Sequence, residues 1–139
     1  MKPPNKNSLQ SPAAKAFKKV KPFRLNKLRD KADRALQDHY RATYEGTPCE
    51  SCGRPFQVMH HYVEKSQSAG LRFEPKNLIF LCHACHFRHH RTGDSMIMGE
   101  VIRKRGMKWL NEIRRLKYER KMVLDRVYLG KQLEKYTTK

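Results

Sequence analysis

The apolar positions of this chain fall in short runs, and their period changes along its length. From about residue 26 to residue 44, Leu28, Ala32, Ala35, Leu36 and Tyr40 recur at intervals of three and four among Arg and Lys. That spacing predicts a helix with one narrow apolar stripe, capped by Asn26 and ended by Gly46-Thr47-Pro48. Phe56 to Tyr62 suits a short strand, residues 64–76 a polar loop holding Gly70 and Pro75, and Leu78-Ile79-Phe80-Leu81 a second short strand. A helix is expected from Cys82 to about Arg91, with Gly93 at its end. Three more helical stretches follow. One runs from about Asp94 to Arg105, and one after Gly106 places Trp109, Leu110, Ile113 and Leu116 on a core face. The last, with Leu124, Val127, Tyr128 and Leu133, is polar enough to fray or to wrap something. Residues 1–22 hold four prolines and six lysines with little to build a core, and read as extended or disordered. The expected fold is small and α+β. A basic, disordered segment covers 1–25, a basic helix 26–45, a chemical core 46–93 and basic helices 94–139.

Charge sharpens this division. The net charge is +18 over 139 residues, and it is unevenly spread. Residues 1–44 carry +9, residues 45–85 carry none, and residues 86–139 carry +9. A neutral centre between two basic flanks implies a polyanionic partner, nucleic acid before any other. The basic stretches lack the long apolar face that would lie in a bilayer, and no apolar run is long enough to span one. With no signal-peptide pattern either, the expected location is the cytoplasm.

All four cysteines lie in the neutral centre, as Cys49-x-x-Cys52 and Cys82-x-x-Cys85, with 29 residues between the pairs. Each pair can offer two thiolates to one side of a tetrahedral ion at ~2.3 Å, so the four predict a closed, structural Zn²⁺ site. Metal binding would then contribute directly to folding, since the apolar segments are short. A disulfide framework would suit an exported chain, and a redox CxxC would need a thioredoxin-like surrounding pattern; neither context is present.

Six of the seven histidines fall within residues 60–90, interleaved with these cysteines. His60 and His61 end the first expected strand, and His86 and His90 share one face of the following helix. Neutral imidazoles suit a transition metal, and a catalytic ion needs few protein ligands and an open position. His83 and His89 read as bystanders, although His89 could replace His90, and His39 reads as a surface residue of the first helix.

The run from Met59 to His90 resembles the HNH nuclease motif, also called the ββα-metal or His-Me finger. The resemblance implies a zinc-stapled ββα-metal core flanked by basic helical arms. It implies His61 as general base, His60 and His86 as ligands of a catalytic divalent ion with His90 as a third, and Asn77 as the central Asn. The ion implied is Mg²⁺ or another such as Mn²⁺. A closer similarity is to the NinG (Rap) recombination proteins of lambdoid phages, carried by Pro48-Cys49, Cys52-Gly53, His61-Tyr62, Leu71-Arg72-Phe73, Asn77, Cys82 and Cys85. It spans roughly residues 46–117. Those proteins have Asn after the last cysteine where this chain has His86, and the N-terminal arm has no counterpart in them. This similarity implies action on branched or recombination-intermediate DNA, and a bacterial host cytoplasm if the protein is phage-encoded.

The chemistry fits the residues independently. His61 could take a proton from water, while a metal held by His60 and His86 neutralises phosphate charge and Asn77 orients the loop or the base. One geometric demand follows. Successive strand side chains point to opposite faces, so His60 and His61 meet one phosphate only if the strand ends or bends there. Expected phosphate contacts are Lys18, Lys19, Arg103, Lys104, Arg105, Arg114 and Arg115, with Arg72 and Arg88 nearer the centre. Two grips about one cleft would suit a homodimer cutting two strands. Two other functions use many of the same features. A non-catalytic zinc module that binds nucleic acid needs no histidine set, and an RNA-attachment protein predicts RNA preference without cleavage.

Overall fold

The computed structural model describes residues 22–93 and 95–138, with side chains from Arg24 onward. Lys18, Lys19, Asp94 and nearly all of the segment expected to be disordered lie outside these residues. The elements run α1 (Pro22–Thr43), β1 (Val58–His61), a 3-10 turn (Pro75–Asn77), β2 (Leu78–Leu81), α2 (His83–Thr92), α3 (Ser95–Arg105), α4 (Met107–Glu119) and α5 (Arg126–Thr137). The fold is small and α+β, as the periodicity predicts. Among the described residues, no helix is long and apolar enough to cross a membrane.

Asn26 does not cap the first helix. α1 starts at Pro22, a turn earlier than expected. Proline suits a first helical position because its fixed φ is already helical and its missing N–H would lack a partner there anyway. At the other end of the core, Cys82 caps α2 by accepting the Cys85 N–H, and Gly93 closes it in the left-handed region at φ 62°.

β1 and β2 form one antiparallel pair, with Met59 opposite Phe80, His60 opposite Ile79 and His61 opposite Leu78. Alternation gives this ribbon two dissimilar faces. Met59, His61, Leu78 and Phe80 share one face. On it Met59 and Leu78 join Ala32, Ala35 and Leu36 of α1 and Leu129 and Tyr136 of α5 in one apolar cluster. Val58, His60, Ile79 and Leu81 share the other. There Ile79 and Leu81 pack with Cys49, Cys82 and Cys85 and with Ile97 and Val101 of α3. The ribbon is thus buried between α1 and α5 on one side and α2 and α3 on the other. Its outer edge is met by α1. Gln37 Nε2 donates to the Met59 carbonyl at 2.8 Å, and Gln37 Oε1 accepts the Met59 N–H at 2.9 Å, so one side-chain amide stands where a third strand would pair.

The loop between the strands is held from outside. Leu110, Ile113 and Leu116 present the apolar face of α4, and Ile113 and Leu116 pack on Val63 and Leu71 of the loop. Trp109 Nε1 donates to the Lys76 carbonyl at 2.8 Å. Gly70 has no space for a side chain, since a Cβ there would lie 2.1 Å from the Arg120 carbonyl oxygen.

The last helix is a core element rather than a fraying one. Asp125 caps it by accepting the Tyr128 N–H at 2.8 Å, and Leu129 is fully buried against α1. Truncation of Leu129 to Ala should therefore cost about 2–5 kcal/mol in a urea-unfolding experiment. Val127→Ala, at a side chain 66% exposed, should change stability by no more than about 0.5 kcal/mol. Near-neutral results at both positions would show that α5 is not anchored.

Candidate functional site

Among the described residues, two clusters of metal-binding side chains gather beside the ribbon and the start of α2. In the first, the Sγ atoms of Cys49, Cys52, Cys82 and Cys85 all lie within 4.8 Å of one another. The Cys49 and Cys52 knuckle is closed by a bridge between Pro48 and Pro55, and its partner knuckle spans the end of β2 and the first turn of α2. Cys52 Sγ and Cys82 Sγ are 3.6 Å apart, far beyond the ~2.05 Å of a disulfide bond. Burial and the neighbouring sulfurs of Cys85 and Cys52 push the Cys82 thiol up to about 12. Burial pushes Cys49 up as well, but the N–H groups of Cys52, Cys82 and Ser51 outweigh it and bring that thiol down to about 7. A dication is the group that lets four crowded sulfurs all be thiolates, so the cluster is consistent with a zinc site. Arg88, expected near the centre, is exposed and donates to Cys85 Sγ at 3.6 Å.

The second cluster is His60, His86 and His90, whose ring nitrogens also lie within 4.8 Å of one another. His60 is 3% exposed on the α2 face of β1, its ring 5.2 Å from the rings of both His86 and His90. His86 Nε2 and His90 Nε2 are 3.0 Å apart, one helical turn from each other. Burial, then repulsion from the surrounding imidazoles, holds His60 down at about 3. The same two causes hold His86 at about 4. Both rings are therefore neutral near pH 7, the form a metal takes. Nitrogens bound ~2.0–2.1 Å from one ion stand about 3.4 Å from each other, close to the 3.0 Å between His86 and His90. His90 is exposed, which leaves the far side of the cluster open. The donor set is wholly imidazole and fits a borderline transition ion better than Mg²⁺, which prefers oxygen ligands.

His61 lies on the opposite face of β1, 9% exposed. Its Nε2 stands 2.7 Å from the Arg72 carbonyl oxygen. A carbonyl can only accept, so Nε2 carries the proton and Nδ1 keeps its lone pair. Burial lowers this imidazole to about 4 against the opposing effect of the Arg72 carbonyl, with Lys65 adding to the lowering.

His60 and His61 nevertheless line one cleft of about 630 Å³, with Gln37, Glu64, Lys65, Ser66, His86 and His90. The geometric demand is met where the strand ends, since β1 stops at His61 and the chain bends at Tyr62 and Val63. β1 is an edge strand of a two-stranded ribbon, and residues of both its faces line the cleft.

Asn77 is fully buried and does not reach the cleft. Its Oδ1 accepts the Val63 N–H at 2.7 Å, and its Nδ2 donates to the Val63 and Leu71 carbonyls at 3.0 Å each. It clasps the two ends of the loop that delivers the Arg72 carbonyl to His61. The Arg72 guanidinium, expected at a phosphate, is turned inward instead. It is bidentate on Asp33 of α1, with Nε at 2.9 Å and a second, shorter contact. This side chain, 9% exposed and bidentate on a carboxylate, ties α1 to the loop.

The C-terminal cations are mostly occupied as well. Arg103 pairs with Glu100 at 2.6 Å, Arg115 with Glu112 and Glu119 at 2.6 Å each, and Lys104 donates to the Glu50 carbonyl at 3.0 Å. Arg105 is bidentate on Glu50 and packs over the Trp109 ring. Arg114 is exposed and has no ion pair among the described residues. His39, expected on the surface, is half-buried beside Tyr40 and Tyr136. His83 is exposed, while His89 packs its ring 4.8 Å from His60. Gln37, Asp33 and Lys65 are the site residues the sequence did not single out. Lone polar residues on a basic helix or in a polar loop carry no periodic or spacing signal.

Because the buried Asn77 side chain bonds three backbone groups, Asn77→Ala should destabilise the protein by on the order of 3 kcal/mol in chemical denaturation. A loss below about 1 kcal/mol would mean that the loop is not held by this side chain.

Residues 49–92 match the family model described as HNH endonuclease. The matched stretch contains both cysteine pairs, both strands, α2, and His60, His61, Asn77, His86 and His90. No curated protein and no solved structure matches the chain.

Proposed function

We propose that the protein is a metal-dependent DNA endonuclease that hydrolyses a phosphodiester bond in the cleft along the outer edge of β1. One observation carries this reading: a buried histidine with a fixed tautomer shares a cleft with a separate, solvent-open set of three imidazoles. A protein that only binds nucleic acid needs neither. The family match over residues 49–92 supports the same class of chemistry.

In this reading His60, His86 and His90 hold the catalytic divalent ion, and the four cysteines hold a structural zinc. The catalytic ion, when bound, supplies charge neutralisation at the phosphate and at the departing oxygen. His61 acts as general base through Nδ1, since Nε2–H is committed to the Arg72 carbonyl. Arg72 and Asn77 are positioning residues. Asp33 fixes the Arg72 side chain, Asn77 fixes the loop around it, and the carbonyl so placed fixes the imidazole. Lys65 lines the cleft, with its side chain 44% exposed and its ammonium 3.6 Å from Asp33, and is placed to meet a phosphate oxygen. The similarity to NinG-like recombination proteins favours a branched duplex among the substrates.

The test is cleavage of labelled linear duplex, single-stranded and four-way-junction DNA. His61→Ala should lower the rate on the order of 10²- to 10⁴-fold while zinc content and DNA binding are retained. His86→Ala and His90→Ala should raise the metal concentration needed for half-maximal cutting, and Mn²⁺, Co²⁺ or Ni²⁺ should support cutting at lower concentration than Mg²⁺. Tight, salt-sensitive binding with no cleavage of any substrate under any of these ions would replace this reading with that of a zinc-dependent binding module.

A further inference from the structure

A large apolar side chain stands in solvent beside the imidazole cluster. Phe87 of α2 is 58% exposed and joins neither of the apolar clusters on the ribbon faces nor the one under α4. Helix geometry places it. Measured around α2 from His86, His90 stands at about 40°, Phe87 at about 100° and Arg91 at about 140°, while Cys85 stands about 100° the other way. Exposure rises in the same order, from buried Cys85 through half-buried His86 to exposed His90, Phe87 and Arg91. The solvent-open side of the cluster therefore leads onto the Phe87 ring. His90 and Phe87 are neighbours on the helix surface, with their Cβ atoms about 5–6 Å apart.

What this ring can bind follows from its chemistry and its surroundings. The Arg91 guanidinium lies over it, 5.4 Å from the centroid. α2 contains no Asp or Glu, so the helix itself offers nothing to repel a polyanion. An aromatic face beside a cation suits a nucleotide, because the base stacks on the ring while the guanidinium meets the backbone phosphate. Inside an intact duplex, each base has both faces covered by its neighbours and shows only its edges to a protein. The ring can therefore take a base only where the strand is unpaired or its stack is broken.

We propose that Phe87, flanked by Arg91, is a stacking platform for an unpaired base of the DNA strand whose phosphate lies at the imidazole cluster. On the nuclease reading, on which this rests for the path of the strand, the preferred substrate class is DNA with a single-stranded branch. The base contact itself is a binding property and is measured as one. The full-length protein, in buffer without added divalent ions, is titrated with a labelled linear duplex, the same duplex carrying a single-stranded branch, and a single strand. The wild type is compared with Phe87→Ala, Phe87→Trp and Tyr118→Ala. Tyr118 is the control, since it is 77% exposed and has the Lys121 ammonium 5.4 Å from its ring centroid, but lies on α4.

Phe87→Ala should weaken binding of the branched and single-stranded DNA by about 5- to 100-fold and leave duplex binding within about twofold of wild type. Retained duplex binding also shows that the variant is folded. Phe87→Trp should bind every substrate within about twofold of wild type, since an indole stacks at least as well. Tyr118→Ala should cause no selective loss. No loss in Phe87→Ala, an equal loss on duplex and branched DNA, a selective loss that Trp does not restore or that Tyr118→Ala reproduces, or no binding by the wild type would each overturn the platform. Cleavage under Mn²⁺ separates this from the chemistry. No cutting of any substrate by the wild type defeats the nuclease reading, while the selective loss in Phe87→Ala still decides the base contact.

Discussion

Two strands of four residues cannot hold a defined geometry in water by their own hydrogen bonds, and everything in this protein depends on how that ribbon is fixed. Three devices fix it, and each acts on a different part. The cysteine cluster gathers the knuckle that precedes β1, the end of β2 and the first turn of α2. Asn77 ties the loop at the opposite end, where β1 stops and β2 begins. Gln37 occupies the exposed edge with a side-chain amide in place of a strand. The helices then bury the two faces, but the register of Met59 with Phe80 and of His60 with Ile79 is what those helices recognise.

Chemical asymmetry follows from that ribbon. Adjacent residues on a strand face opposite ways, so a His-His pair is divided between two environments. His60 faces α2 and meets two further imidazoles one helical turn apart. His61 faces α1 and meets a backbone carbonyl that leaves one ring nitrogen available. One histidine is suited to holding an ion and its neighbour to accepting a proton, with no difference in residue type between them. Because β1 is an edge strand, both environments reach one cleft. A third strand at that edge would have separated them.

Much of this is legible in the sequence. The two CxxC pairs, the strand–loop–strand–helix order and the i, i+4 spacing of His86 and His90 are local patterns, and the structure brings together the residues they mark. What the sequence withholds is the partner of each charge. Arg72 and Arg114 look alike in composition, yet one is buried on Asp33, 39 positions away, and the other faces solvent. Arg105 is likewise claimed by Glu50 across 55 positions. Gln37 belongs to a helix that reads as a basic arm, and only its contact with Met59 places it at the cleft. The weak apolar pattern of α5 conceals Leu129 and Tyr136, whose burial depends on the surface that α1 offers. In each case the missing information is a long-range contact, which neither propensity nor periodicity encodes.

In the proposed reading, two chemically different metal positions flank this ribbon, one of sulfur and one of imidazole. Anomalous diffraction from crystals of the zinc-loaded protein soaked in Mn²⁺, recorded at both absorption edges, tests it directly. The expected result is a zinc peak among the Sγ atoms of Cys49, Cys52, Cys82 and Cys85 and a manganese peak bound by His60, His86 and His90. A single peak at the cysteines, or manganese bound away from those three histidines, would contradict it.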